Sequence, residues 1–368
     1  MATSRRTFLK NSAFAGTALG ILSVLQGGSA QDTSGPTIPT PRARALMDLF
    51  GLVYPIFQAP FGPSYTSPDL AAAVSNAGAM GTLALSGSTP EAARELNTNV
   101  RALTKRAFIA NYLLASDPVS LPAALDAGAP VVQFSWGLPT KEMISAVRSA
   151  GAKLGVQIGN AKGARAALDL GADYIVCQGT EAGGHVQSST SLYDLLPKVL
   201  DEAQNTPVLA AGGIGNGQKI RRALLANASG AVLGTRFVAT QESRAHSEFK
   251  NAILKANARD TALSVCFQDG WPGATHRALR NGTFVRWEAA GYPPVGKRPG
   301  EGDVLATRPD GTKVLRYNSS SPGRDLEGVI TELAMYAGES VDDITDLPSA
   351  GELVARLWAE CLTRRRVS

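Results

Sequence analysis

Eight short apolar runs between Pro55 and Gly234, all but the last followed by an amphipathic helical pattern, predict an α/β protein built as a (β/α)8 TIM barrel. Two further observations support this. Several helical patterns end on Ala-Gly or Leu-Gly-Ala just before the next apolar run, as at Ala77-Gly78, Ala127-Gly128, Ala150-Gly151 and Leu170-Gly171-Ala172; such glycines close helices in the left-handed conformation. The regularity then fades after Phe237, where residues 245–330 are rich in Gly, Pro, Arg and Asn and read as a C-terminal cap segment over the barrel mouth. Strict βα alternation implies a parallel sheet with helices outside it, and eight units imply closure. A doubly wound open sheet is the alternative.

The elements follow in order. Residues 56–60 read as the first strand. Ser67 stands ready to cap the next helix, with Pro68 at its first position and Gly78 at its end. Residues 80–85 form the second strand and 90–103 its helix. The next three pairs are 107–114 with 121–127, 131–134 with 141–150, and 153–158 with 162–170. Residues 174–177 form the sixth strand, with 193–203 as its helix. Residues 207–211 pair with 218–227, and 230–234 form the eighth strand. Beyond the cap, 325–338 and 350–363 are expected as closing helices.

The N-terminus reads as an address. Ser4-Arg5-Arg6-Thr7-Phe8-Leu9-Lys10 fits a twin-arginine export signature, S-R-R-x-F-L-K. The apolar stretch 13–25 is too short for a mature membrane span, so no stable membrane anchor is expected. Gly28-Ser29-Ala30 offers small residues for cleavage before Gln31. Residues 1–30 are thus expected as a signal peptide and 31–50 as a linker, leaving 51–368 for the barrel and its cap. The twin-arginine machinery is the expected export partner and the periplasm the destination.

Bulk properties exclude several classes. With 44% hydrophobic and 18% charged residues the chain is too apolar for disorder. Part of its net charge of +5 sits at the ends, on Arg5, Arg6 and Lys10 and on Arg364, Arg365 and Arg366. No basic stripe with interleaved aromatics appears, so nucleic acid is not an expected partner. Cys177, Cys266 and Cys361 lack metal-ligand spacing, and no metal is expected.

Chemistry in a barrel of this kind sits at the C-terminal ends of the strands. There the chain places Gly212-Gly213-Ile214-Gly215-Asn216-Gly217 after strand seven and Gly234-Thr235-Arg236 after strand eight. Two glycine clusters at these ends describe a phosphate grip. Gln58-Ala59-Pro60-Phe61-Gly62 ends strand one, Asn111 lies at strand three and Gln157 at strand five. Neutral amides suit a heterocycle with several ring N and C=O groups. Together they describe a mononucleotide-like cofactor, and FMN fits best. NAD fits less well, because no G-x-G-x-x-G opens a first βα unit. After strand six comes Gln178-Gly179-Thr180-Glu181-Ala182-Gly183-Gly184-His185. It combines a backbone that a ligand can approach, a carboxylate, and one of only three histidines in the chain. Glu181 either orients His185 or binds backbone N–H groups. His246 lies in a polar run and His276 among arginines of the cap; both are expected to be non-catalytic.

These residues, with Leu70-Ala71-Ala72-Ala73-Val74-Ser75-Asn76-Ala77-Gly78, Ala210-Ala211-Gly212-Gly213-Ile214, Leu233-Gly234-Thr235-Arg236-Phe237 and Met335-Tyr336-Ala337-Gly338, resemble the nitronate monooxygenase family. The resemblance spans residues 53–357. It implies an FMN-containing barrel that oxidises alkyl nitronates or nitroalkanes with O2 to a carbonyl compound and nitrite. It places the family's histidine at His185, as base or nitronate-binding group. It places flavin contacts on Ala59, Pro60, Asn111, Gln157, Gln178, Gly183, Gly213, Gly234 and Thr235, with Phe61 and Gly212 beside them. Competing readings are an NAD(P)H-dependent, enoyl-reductase-like flavoenzyme on the same barrel, a flavin-free phosphate-binding lyase or isomerase, and an exported binding barrel without turnover. A lyase usually needs a lysine or carboxylate at a strand end, and no lysine lies at those assigned here.

Overall fold

A computed structural model describes residues 37–62 and 65–363. The expected export signal and residues 31–36 of the expected linker lie outside the described residues.

The elements run α1 (Pro41–Phe50), β1 (Ile56–Gln58), α2 (Pro68–Asn76), β2 (Gly81–Ala84), α3 (Pro90–Leu103), β3 (Phe108–Leu113), α4 (Leu121–Asp126), β4 (Val131–Ser135), α5 (Lys141–Ser149), β5 (Lys153–Ile158), α6 (Ala161–Asp169) and β6 (Tyr174–Gln178). A two-residue strand β7 (Gly184–His185) follows, then α7 (Leu192–Ala203), β8 (Val208–Ala211), α8 (Gly217–Leu225), β9 (Gly230–Leu233) and the short α9 (Thr235–Val238). The parallel sheet is ordered β1-β9-β8-β6-β5-β4-β3-β2. A bridge between Phe57 and Met80 brings its two edges together. There Gln58 N–H donates to Met80 O at 2.9 Å, and Met80 N–H to Ile56 O at 2.9 Å. The Gln58 side chain serves this seam: its Oε1 accepts from Thr82 N–H at 2.9 Å. It is thus a closure residue and not one of the amides lining the mouth.

Residues 41–50, expected as linker, form α1 instead. Thr40 caps it by accepting from Ala43 N–H at 3.2 Å, Pro41 occupies the first turn, and Gly51 closes it at φ 66°. The reason is tertiary. Leu46 is fully buried and packs with Phe57, Met80, Ile109, Val131, Tyr174 and Leu209 inside the barrel. Phe50 meets the Tyr174 ring edge-on at 5.5 Å. Leu46 also lies close to Gly230, and Tyr174 and Gly230 begin β6 and β9, so α1 plugs the N-terminal end of the barrel. Inside, the absence of a side chain at Gly155 admits Tyr174: a Cβ there would lie 2.1 Å from the tyrosine ring.

After β9 come α10 (Ser247–Lys255), β10 (Thr261–Ser264), β11 (His276–Leu279), α11 (Gly282–Ala289), β12 (Val304–Thr307), β13 (Lys313–Leu315), β14 (Glu327–Gly328) and α12 (Ala350–Leu362). The hairpin β10-β11 takes β7 as a third, antiparallel strand, with His276 opposite His185. A second small sheet is ordered β13-β12-β14. α12 packs on α8 and α2, taking the place that a four-residue α9 leaves unfilled. The closing helix expected at 350–363 is therefore present. The one expected at 325–338 is not: that stretch holds β14, a 3-10 turn at Ile330–Glu332 and an extended strap. Gly328 pairs with Ala306, and Leu279 N–H bonds Met335 O at 2.9 Å, so backbone partners elsewhere in the cap win over local helix formation. No helix among the described residues is long and apolar enough to cross a membrane.

Candidate functional site

A cavity of about 530 Å³ opens at the C-terminal end of the barrel. Ala59, Pro60, Phe61, Asn111, Gln157, Gln178, Gly183, His185, Gly212, Gly213, Gly234 and Thr235 all line it. The alternation of elements thus brings together residues spread along the chain from 59 to 235.

One end is backbone. Gly212 and Gly213 adopt φ 129° and 67°, a conformation that side-chain-bearing residues avoid. Among the described residues no acceptor takes the backbone N–H of Gly213, Gly234 or Thr235. Donors of that kind, converging on a cavity, suit a phosphate. Thr235 has a second task, since its hydroxyl accepts from Gly338 N–H at 3.0 Å. Gly183 abuts the same strap: a Cβ there would lie 2.4 Å from Gly338 N. Its role is therefore close chain packing as much as ligand approach.

The amides are partly committed. Asn111 Oδ1 accepts from Gln133 Nε2 at 3.0 Å and from Ser135 Oγ at 3.2 Å, which leaves its NH2 group for the cavity. Gln157 Nε2 donates to Gln187 Oε1 at 3.0 Å. Gln178 clamps the loop that carries the histidine: its Nε2 donates to His185 O at 3.1 Å, and its Oε1 accepts from Gln187 N–H at 2.9 Å.

Glu181, open between two roles on sequence grounds, binds backbone. Both of its carboxylate oxygens accept from Leu192 N–H, at 3.1 and 2.9 Å, at the start of α7. An anion is favourable at a helix N-terminus.

The other end is aromatic and centres on His185. Trp271 lies over the imidazole at 4.2 Å between ring centres with a 32° tilt. Tyr336 stands at 5.1 Å and Trp136 edge-on at 6.1 Å. His185 Nε2 is buried without a protein partner. Burial, then the neighbouring His276, pushes the His185 pKa down to about 3. His276 is fully buried behind it. Burial pushes the His276 pKa down to about 4. Its ring is pinned by backbone: Nε2 accepts from Phe267 N–H at 3.1 Å, and Nδ1 faces Ala274 O at 2.9 Å. His246 lies apart and caps α10, accepting from Glu248 N–H through Nδ1.

Sequence reasoning missed Trp136, Trp271 and the proximity of His276. Trp136 follows a predicted strand end, which is a usable signal. Trp271 and His276 arrive through the cap, whose pairing with β7 no local pattern announces.

The site is thus the C-terminal mouth of an eight-stranded parallel barrel, with glycine turns at one end and a half-buried histidine at the other; among the described residues no lysine or carboxylate of the kind a lyase usually needs lines the cavity. Comparison with known proteins makes this specific. The profile described as Nitronate monooxygenase matches residues 43–123 and 119–360, and the chain belongs to that family and is an oxidoreductase. It is 31% identical to the Pseudomonas aeruginosa nitronate monooxygenase, covering 85% of this chain and 97% of that one. It is 35% identical to a Mycobacterium tuberculosis protein named (3aS,4S,5R,7aS)-5-hydroxy-7a-methyl-1-oxo-octahydro-1H-indene-4-carboxyl-CoA dehydrogenase, covering 86% and 96%. Among solved structures it superposes on nitroalkane oxidase from Streptomyces ansochromogenes with a TM-score of 0.70 and 32% identity, over 86% of this chain and 97% of that one.

Proposed function

We propose that this chain holds FMN in the barrel mouth and oxidises alkyl nitronates with O2 to a carbonyl compound and nitrite. The observation that carries the reading is one cavity lined both by a glycine cradle with unpartnered N–H groups and by the His185 side chain. The residues present fit the cofactor. Gly213, Gly234 and Thr235 would hold its phosphate by backbone N–H groups. Asn111, Gln157 and Gln178 would meet the ring edge, and Ala59, Pro60 and Phe61 would floor it, with Gly212 and Gly183 allowing the chain to pass close. FMN, when bound, supplies the electron-accepting and O2-reducing chemistry.

The protein's own contribution centres on His185. An imidazole with its pKa pushed to about 3 is neutral at pH 7 and a weak base. General-base catalysis favours a pKa near the working pH. That favours the nitronate-holding role over the base role: the neutral imidazole would offer an N–H to the charged nitro oxygens, with Trp271, Trp136 and Tyr336 beside it. The substrate is then the preformed nitronate in preference to the neutral nitroalkane.

Two measurements test this. The purified chain should show flavin absorption bands and release FMN on heating; a colourless protein that takes up no added FMN would sink the reading. His185→Ala should retain FMN while kcat/KM on ethyl nitronate falls by about 10- to 100-fold, the worth of one hydrogen bond to a charged group. Unchanged turnover would remove His185 from the reaction. The M. tuberculosis relative favours a second reading, a dehydrogenase or reductase on the same barrel. Anaerobic bleaching of the bound flavin by NADH, together with failure on nitronates, would select it.

Location is part of the proposal. The Ser4–Lys10 signature would send the folded, cofactor-loaded chain through the twin-arginine machinery to the periplasm. Replacing Arg5 and Arg6 by lysine should hold it in the cytoplasm, and unchanged fractionation would argue against that route.

A further inference from the structure

His276 is fully buried behind His185, and the reaction proposed above leaves it without a task. The strand pair β10-β11 ends where it stands: Ser264 opposite His276 is the last rung, and the chain then leaves the sheet. Past that rung the imidazole takes over. Its Nε2 accepts from Phe267 N–H at 3.1 Å on the way out, and its Nδ1 lies 2.9 Å from Ala274 O on the way back. One neutral ring thus closes both ends of the loop 267–274, supplying one acceptor and one donor as a further backbone rung would.

The first half of the loop has a second anchor. Arg298 Nη2 lies 2.8 Å from each carboxylate oxygen of Asp269, and Asp269 N–H donates to Tyr317 O at 3.1 Å. The second half has none. Among the described residues, the hydrogen bonds of 270–274 go only to Gln268, to Trp271 and to the His276 ring. That half carries Trp271, whose indole lies over His185 at 4.2 Å with a 32° tilt. The His276 ring itself stands edge-on to His185 at 5.6 Å, because β11 sets it opposite His185 on β7.

We propose that His276 is a positioning residue: by stapling the loop 267–274 it sets Trp271 against the face of His185 and so fixes the direction in which His185 presents its N–H to the substrate. The staple stands on geometry; its consequence for turnover rests on the nitronate reading above. Leucine at 276 would fill the space but leave Phe267 N–H and Ala274 O buried and unpaired. Glutamine offers a carbonyl and an amide N–H to the same two groups.

The first readout needs no turnover: NMR of the purified chain labelled with 13C and 15N at histidine. Three histidines give three signals, and the one lost in His276→Gln belongs to His276. It should show the neutral tautomer with its proton on Nδ1; a proton on Nε2 overturns the staple in the wild-type chain, with no variant needed. The His185 signal should lie upfield, shielded by the indole face, and Trp271→Leu should move it downfield. His276→Leu should move it the same way, and His276→Gln should leave it in place. Should the leucine variant not fold, His276→Asn, whose amide is too short to reach both groups, replaces it. A His185 signal that shifts in Trp271→Leu but stays put in the His276 variant overturns the proposal, as does one indifferent to Trp271→Leu.

The second readout is kcat/KM on ethyl nitronate per bound FMN. His276→Leu should lose about 10- to 100-fold, the effect of misplacing a contact group, and His276→Gln should recover most of it. A merely structural role would lower FMN content or Tm and leave the rate per flavin unchanged; that result overturns the positioning role. Should the wild-type chain leave nitronates unreacted, the reaction reading fails, and the tautomer and the His185 shift decide the staple by themselves.

Discussion

At His276 the backbone dictates a protonation state. Phe267 N–H requires an unprotonated Nε2, and Ala274 O requires a proton on Nδ1, so the ring is neutral when folded. Burial enforces the same choice and lowers its pKa to about 4, against about 6.5 in an unfolded chain. Between those values the unfolded chain binds a proton that the folded chain refuses. Stability is therefore full above pH 6.5 and falls as the pH drops through the window, at up to about 1.4 kcal/mol per pH unit. His185, lowered to about 3, acts in the same direction. The unfolding free energy should decline from pH 7 to 4.5, and His276→Gln should flatten that decline. An identical slope in the variant would refute the assignment. The lone imidazole in the Gly-Gly-His motif was legible as a site residue, because it follows a buried strand pattern. Its partner was not, because the register that sets His276 opposite His185 joins positions about ninety residues apart in sequence.

Among the elements, the strap of residues 333–338 shows how the cap is fastened to the barrel. Gly183 and Gly338 approach so closely that a Cβ on either would lie within 2.4–2.6 Å of the other's backbone nitrogen. Glu339 N–H bonds Glu181 O at 3.0 Å on the same seam. Backbone on both sides cannot yield as a side-chain tip would. Gly183→Ala should therefore unseat the strap, lower stability by about 2–4 kcal/mol and weaken FMN retention. Limited proteolysis reads the outcome; wild-type resistance around residues 325–345 with undiminished FMN content would refute it. The barrel strands were legible because each is an apolar run bounded by turn residues. The strap and β14 were not: their pattern tolerates a helix, and the partners that hold them extended lie elsewhere in the chain. α1 was hidden behind a Pro/Thr/Ser-rich lead, though Thr40-Pro41 is itself a helix start.

For the whole molecule, a cavity in which several backbone donors lack acceptors predicts strong coupling between ligand and fold. A cofactor that binds only the folded chain stabilises it by RT ln(1 + [L]/Kd), about 2.7 kcal/mol at a hundredfold excess over Kd. FMN added to apoprotein should raise Tm in a concentration-dependent way, and riboflavin, which lacks the phosphate, should raise it far less. Equal shifts from both would argue against the glycine cradle as a phosphate grip. The chain by itself determined the eight-unit alternation, the glycine loops at the seventh and eighth strand ends, and the His185 motif. Each of these is written in short-range periodicity and in residue types with narrow conformational or chemical uses. Only the tertiary structure decided the plug α1, the role of Glu181 as a helix-end anion, and the aromatic box of Trp136, Trp271 and Tyr336 around the His185 imidazole. Those depend on which distant segments pack together and how much water they expel, and neither quantity is carried by any local stretch of sequence.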